Sequence, residues 1–157
     1  MPKTLNIIIY PDKTLRVKCI EIKKVDDKIR RLISDMELTM KEKDGVGLAG
    51  PQVGQTIRVI IINTKDGPLA MVNPKITKKS WRKESGEEGC LSIPDFYGSV
   101  KRHKKINVIY TDKHNKKIKL AAEGLFARVI QHEIDHLNGV LFIDYLPKKN
   151  LKDLPEE

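Results

Sequence analysis

Two histidines separated by three residues, in the string HEIDH at 132–136, are the most chemically pointed feature of the chain. In a helix, positions i and i+4 lie one turn apart on one face, close enough for both imidazoles to reach a single metal ion. Glu133 is one residue step round and lies beside that ion, where a carboxylate can pass protons to and from water. The pattern arises by chance in roughly one chain of this length in a few hundred at average composition, so spacing alone leaves a solvated helix as the alternative. Helical phase favours the inward reading. Leu125, Val129, His132 and His136 fall at i, i+4, i+7 and i+11, so a stripe expected to be apolar and buried runs into both histidines.

A catalytic metal site takes three protein ligands and keeps one position open, so the histidine pair needs a third donor. Cys90, in the string EGCLS at 88–92, is the candidate, with Gly86, Glu87, Glu88 and Gly89 forming a polar, flexible approach unlike a core strand. A lone cysteine is more often a small buried apolar residue, and Cys19 keeps that reading. His103 and His114 lie in basic, exposed-looking stretches and do not suit a fourth ligand position. The segment GVGLAGPQ, 45–52, offers glycines that let a substrate backbone come close and, in Gln52, a side-chain N–H donor. It follows a helix and lacks the lysine of a phosphate loop, so phosphate binding is not indicated. A plain helix cap and turn is the alternative for this segment.

These groups need elements to hold them. Apolar residues at Ile29, Leu32, Ile33, Met36 and Met40 predict an amphipathic helix from Val25 to about Lys43, with Asp26 and Asp27 in its first turn and Gly45 and Gly47 ending it. Residues 45–52 then read as a loop. Residues 58–63, 69–76 and 106–111 read as strands, the last opening a hairpin whose polar tip is DKHNK. Glu123 to about Leu137 reads as a second helix stopped by Gly139, and residues 4–18 as a packed N-terminal strap with a strand-like stretch at Ile7–Ile9.

A chain of 157 residues suits one domain with one core, spanning 1–157. Lysine and arginine exceed aspartate and glutamate to give a formal charge of +9, enough to steer anionic partners without identifying one. Two cysteines cannot frame a disulfide-stapled secreted mini-protein, and reduced thiols are expected. The apolar start is cut off by Pro11 and Asp12 before it could act as a signal-peptide core, and no run reaches membrane-spanning length. A cytoplasmic protein, or one of an equivalent organelle matrix, is expected.

Taken together and in order, GVGLAGPQ, EGCLS and QHEIDHLNG (131–139) resemble the motifs of the peptide deformylase family, and IYPDKTLR and LFIDYL extend the likeness over nearly the whole chain. The resemblance implies an α+β fold with antiparallel β-sheets packed around a central C-terminal helix carrying HExxH. It implies a metal-dependent hydrolase that removes the formyl group from N-formylmethionyl nascent peptides and releases formate. Cys90, His132 and His136 would be the metal ligands and Glu133 the catalytic acid and base. Gln52 and the backbone N–H of Leu91 would hold the oxyanion. The backbone at Val46 and Gly47, with Gly89 opposite, would pair with the extended peptide, and Leu125 and Val129 would line the methionine pocket.

Thiolate with imidazole suits zinc or iron(II). One divalent metal per chain is expected, iron(II) in the cell, with zinc, nickel or cobalt in some preparations. Gly50 stands where the family usually has a second alanine, which is expected to loosen the backbone before Gln52. The long basic C-terminal helix that helps some members dock on the ribosome is missing after Leu146, so at most a weak ribosome contact is expected, with no membrane and no sequence-specific nucleic acid as partner. Three other readings compete: a general HExxH metallopeptidase, which the small size and Cys90 disfavour, a basic RNA- or ribosome-binding domain with a structural metal, and a deformylase-like protein made slow by Gly50. Aromatic residues hardly interleave with basic runs such as Lys101–Lys105, which makes base stacking a poor expectation.

Overall fold

Val59, Ile60, Ile61 and Ile62 are consecutive branched apolar residues, and all four are buried, as a strand covered on both faces requires. The computed structural model describes all 157 residues, and these four open β2 (Val59–Thr64). This strand lies in a five-stranded antiparallel sheet with β1 (Gly47–Ala49), β3 (Gly67–Lys79), β6 (Lys105–Thr111) and β7 (Lys117–Glu123), in the order β1-β2-β3-β6-β7. Alternate residues of β2 face different partners. Val59 and Ile61 pack with Ile33, Met36 and Met40 of α1 (Asp27–Glu42), whereas Ile60 and Ile62 pack with Ile130, Ile134 and Leu137 of α2 (Gly124–Leu137). The period-two pattern of one strand thus glues a helix to each face of the sheet.

A second sheet pairs β4 (Lys83–Cys90) with β5 (Ile93–His103). Antiparallel sheets around the C-terminal helix are as expected, but three local readings change. Asp26 is the cap of α1 and accepts from the backbone N–H of Ile29, so the helix starts at Asp27, two residues later than its apolar pattern suggests. Residues 47–49 are a short edge strand instead of a loop, held by β2, and residues 50–53 turn in a 3-10 helix. The stretch Gly86–Gly89 is part of β4 and not a flexible approach, since the register runs unbroken from Lys83↔His103 to Gly89↔Tyr97.

The N-terminal strap forms no strand with Ile7–Ile9. It ties two motifs together instead: the N–H of Ile8 donates to the carbonyl of Gln52 at 2.7 Å, and that of Tyr10 to the carbonyl of Ser92 at 2.8 Å. Leu15 joins Ile93, Leu141, Phe142 and Leu146 in a third core cluster, against which Cys90 packs. Chain segments far apart in sequence therefore clamp the residues flanking the candidate site.

Candidate metal centre

The second half of α2 is buried on nearly every side, and His132, Glu133 and His136 are 7%, 3% and 1% exposed. A helix so enclosed leaves its polar side chains no solvent, so each needs a partner inside. Cys90, at the end of β4, supplies one: its sulfur lies 3.4 Å from Nε2 of His136, and the ligand atoms of Cys90, His132 and His136 all fall within 4.8 Å of one another. These donors come from two elements held by different cores: Cys90 of β4 packs against the third cluster, and α2 packs on the five-stranded sheet.

His132 is held from behind by a carboxylate. Its Nδ1 is 2.8 Å from Oε1 of Glu88, whose carboxylate also accepts both Nε and Nη2 of Arg102 at 2.9 Å and Nη1 of Arg128 at 2.7 Å. Burial opposes the charge on Glu88, yet hydrogen bonds from Arg102 and His132 outweigh it and pull its pKa down to about 2. Arg102 goes on to Asp135, which also accepts from the hydroxyl of Tyr145 at 2.7 Å. Sequence reasoning missed this network. Glu88 lies in what the sequence presents as a flexible polar approach, and Arg102 within the basic run 101–105. The alternation of β5 carried the signal: Val100 is buried, so Arg102, two residues on, shares its inward face.

Gln52 is 1% exposed and oriented by the loop. Its Oε1 accepts the N–H of Ala49 at 2.9 Å, which turns Nε2 toward Ser92 Oγ at 3.2 Å and Cys90 Sγ at 3.3 Å. Gly50 is closely enclosed. A Cβ there would come within 2.6 Å of the carbonyl oxygen of Gln55 and 2.7 Å of that of Ile57, so backbone already fills the space. Gly47 is more exacting. A Cβ on it would lie 2.5 Å from Oε2 of Glu133 and 2.9 Å from Cγ1 of Val129. Gly47→Ala is expected to displace Glu133 and lower kcat/KM by about 10²-fold, as a misplacement near 1 Å does; steady-state kinetics, with the melting temperature as a folding check, measures it.

A cleft of about 530 Å³ brings together Val46, Gly47, Gln52, Gly89, Cys90, Leu91, Leu125, Val129, His132 and Glu133. His136 sits behind it, against Cys90. One expectation fails in part: Leu125 is 72% exposed and stands at the mouth of the cleft, because the first turn of α2 enters from solvent, whereas Val129 is buried as expected. The strand β1 is an edge of its sheet, with Gly89 of β4 lining the same cleft, which leaves room for an added extended chain. The Val46 carbonyl is already taken by the N–H of Asn63.

The donor set fits a divalent metal. Thiolate and two imidazoles are the ligands of an open, catalytic-type site, and no fourth side chain joins the cluster. Burial pulls the pKa of His136 well below the usual histidine value. Oε1 of Glu133 is buried with no hydrogen-bond partner, and desolvation raises that carboxyl to a pKa of about 7. An unpartnered carboxylate beside three metal-type donors is a place for a polar reactant.

Comparison with known proteins agrees with the geometry. Residues 4–152 match the family described as polypeptide deformylase. A peptide deformylase of Rhizobium meliloti is 47% identical over 147 residues, covering 90% of this chain and 84% of that protein. Among solved structures, a peptide deformylase from Synechococcus elongatus in complex with actinonin superposes with a TM-score of 0.90 at 41% identity, covering 94% of this chain and 84% of that one. A class I type b peptide deformylase from Acinetobacter baumannii with Met-Ala-Ser bound gives a TM-score of 0.89 at 33% identity, covering 93% of this chain and 100% of that one.

Proposed function

The chain belongs to the polypeptide deformylase family, and from that premise we propose which of its residues carry the reaction. It is a metal-dependent hydrolase that takes the formyl group from the amino terminus of nascent peptides and releases formate. The observation that carries the residue assignment is the cluster of Cys90, His132 and His136 in contact with a cleft into which an unpartnered buried glutamate projects.

Cys90, His132 and His136 would hold the metal, and Glu88 orients His132 through Nδ1. When bound, the metal supplies Lewis acidity, drawing electron density from the formyl carbonyl and making a water acidic near neutral pH. Glu133 accepts the proton of the attacking water and delivers it to the departing amine. As the carbonyl carbon becomes tetrahedral, Nε2 of Gln52 and the N–H of Leu91 donate to the developing oxyanion, each stabilising it by about 3 kcal/mol. Val129 lines the methionine pocket and Leu125 guards its mouth. Val46, Gly47 and Gly89 flank the peptide as an added strand, which tolerates many downstream sequences. Met-Ala-Ser bound to the Acinetobacter baumannii relative supports a peptide of this kind in the cleft.

No helix is long and apolar enough to cross a membrane. We place the protein in the cytoplasm as one domain over 1–157, with iron(II) as its metal and at most a weak contact with the ribosome. The test is formate release from formyl-Met-Ala-Ser by anaerobically prepared protein with its metal content measured. Wild type is expected to turn over with one iron per chain, and Cys90→Ala to lose both metal and turnover. A Cys90→Ala variant that keeps its metal and its activity would refute the ligand assignment.

A further inference from the structure

Trp81 is the only tryptophan in the chain and is 92% exposed, more than any other large apolar side chain except Met1 at the terminus. An aromatic of this size held in water is informative in a way that a scattered leucine is not. It does not sit on a loose loop. Ser80 and Arg82 on either side are bound to the neighbouring turn: the N–H of Ser80 donates to the carbonyl of Lys105 at 2.9 Å, and the N–H of Lys104 to the carbonyl of Arg82 at 3.0 Å. The β3–β4 tip and the β5–β6 turn are therefore one rigid end of the molecule.

That end is strongly basic. Lys78, Lys79, Arg82 and Lys83 surround Trp81 in sequence with no acidic residue among them, and Lys83 pairs in register with His103, next to Lys101 on the same face. Lys104 and Lys105 have carboxylate neighbours in Glu84 and Glu123, at 3.6 Å and 3.9 Å, whereas Lys78, Lys79, Arg82, Lys83 and Lys101 are exposed and in no ion pair. Sequence order had kept the aromatic apart from the 101–105 run. Strand pairing brings them together.

We propose that this tip is a binding site for single-stranded RNA, recognised without sequence preference through its phosphates by the unpaired cations and through one unstacked base on the indole of Trp81. A flat aromatic within a basic patch is the arrangement that binds single strands. Insertion into a membrane surface needs a contiguous apolar face, and Trp81 is the only apolar side chain between Lys78 and Lys83. The site is distinct from the cleft. Lys83 and Cys90 are the two ends of β4, seven residue steps or about 23 Å apart, so bound RNA leaves the peptide site open.

The lone tryptophan makes the test direct. Titrating the intact protein with a 12-residue oligouridylate is expected to quench its intrinsic fluorescence. For four phosphate contacts, raising salt from 50 to 200 mM should weaken binding about 50-fold. By labelled-RNA anisotropy, Trp81→Ala should bind about tenfold more weakly, and the combined Lys79→Glu, Arg82→Glu, Lys83→Glu variant about 100-fold more weakly. Both variants should deformylate formyl-Met-Ala-Ser at the wild-type rate, which also certifies folding; if the triple variant does not fold, the quench and Trp81→Ala decide. The proposal is overturned by an unquenched tryptophan at 50 mM salt, by unchanged affinity in either variant, or by a fluorescence response to anionic phospholipid vesicles and none to RNA.

Discussion

Glu133→Gln lowers kcat/KM for a formyl-methionyl peptide by about 10⁴-fold, the upper end of what a positioned acid and base contributes, while the metal content stays at the wild-type level. The amide keeps the volume of the carboxyl but cannot take a proton from water. Metal retention follows from geometry, because the close cluster of ligand atoms comprises Cys90, His132 and His136 and excludes Glu133. Stability should not fall either. The carboxyl is buried, Oε1 has no partner and desolvation holds the pKa at about 7, so removing its charge takes nothing favourable from the fold. Kinetics, elemental analysis and a thermal melt on the same preparation separate these effects. Activity within tenfold of wild type would remove Glu133 from the proton-transfer role.

The second large effect is on stability and reaches the site indirectly. Glu88→Ala is expected to destabilise the protein by about 3–5 kcal/mol, because it takes from Arg128 its only carboxylate and leaves the buried Arg102 with Asp135 alone. Arg102 is 5% exposed and makes two hydrogen bonds to Glu88, and Arg128 makes a third. For a chain of this size that corresponds to a melting temperature lower by about 10 °C or more. His132 also loses the acceptor of its Nδ1, and metal affinity should fall about 10–100-fold. Glu88→Gln separates the two roles: it retains volume and one acceptor, so it should recover much of the metal affinity but not the charge compensation. Differential scanning calorimetry and chelator competition read the two quantities. A melting point within 2 °C of wild type for Glu88→Ala would show that Arg102 and Arg128 find other partners.

Val129 and Leu125 show how the helix phase was partly legible. Both lie on the stripe leading to His132, and both line the cleft, but only Val129 is buried. Periodicity gives the angle of a side chain around the helix axis; it does not say how far along that axis the neighbouring sheets extend. The same limit applies to the first motif. Glycine spacing indicated a close backbone approach at Gly47, and the close neighbour is Glu133, eighty-six positions away. No local rule names a partner at that separation.

What the amino-acid order determined by itself is chemistry that repeats within a few residues: the histidines one helical turn apart, the glutamate between them, the β2 run that must be covered on both faces, and the hairpin at 112–116. Helix and strand geometry turns these spacings directly into positions in space. Only tertiary structure decided the contacts that require segments to meet. It set Cys90 against His136, placed Glu88 between two arginines and His132, aimed the amide of Gln52 at the thiol, and laid Trp81 beside Lys104 and Lys105. Each of these depends on strand register and sheet packing, where a shift of one residue sends a side chain to the opposite face. That choice is made by the whole core at once, and not by the residues that use it.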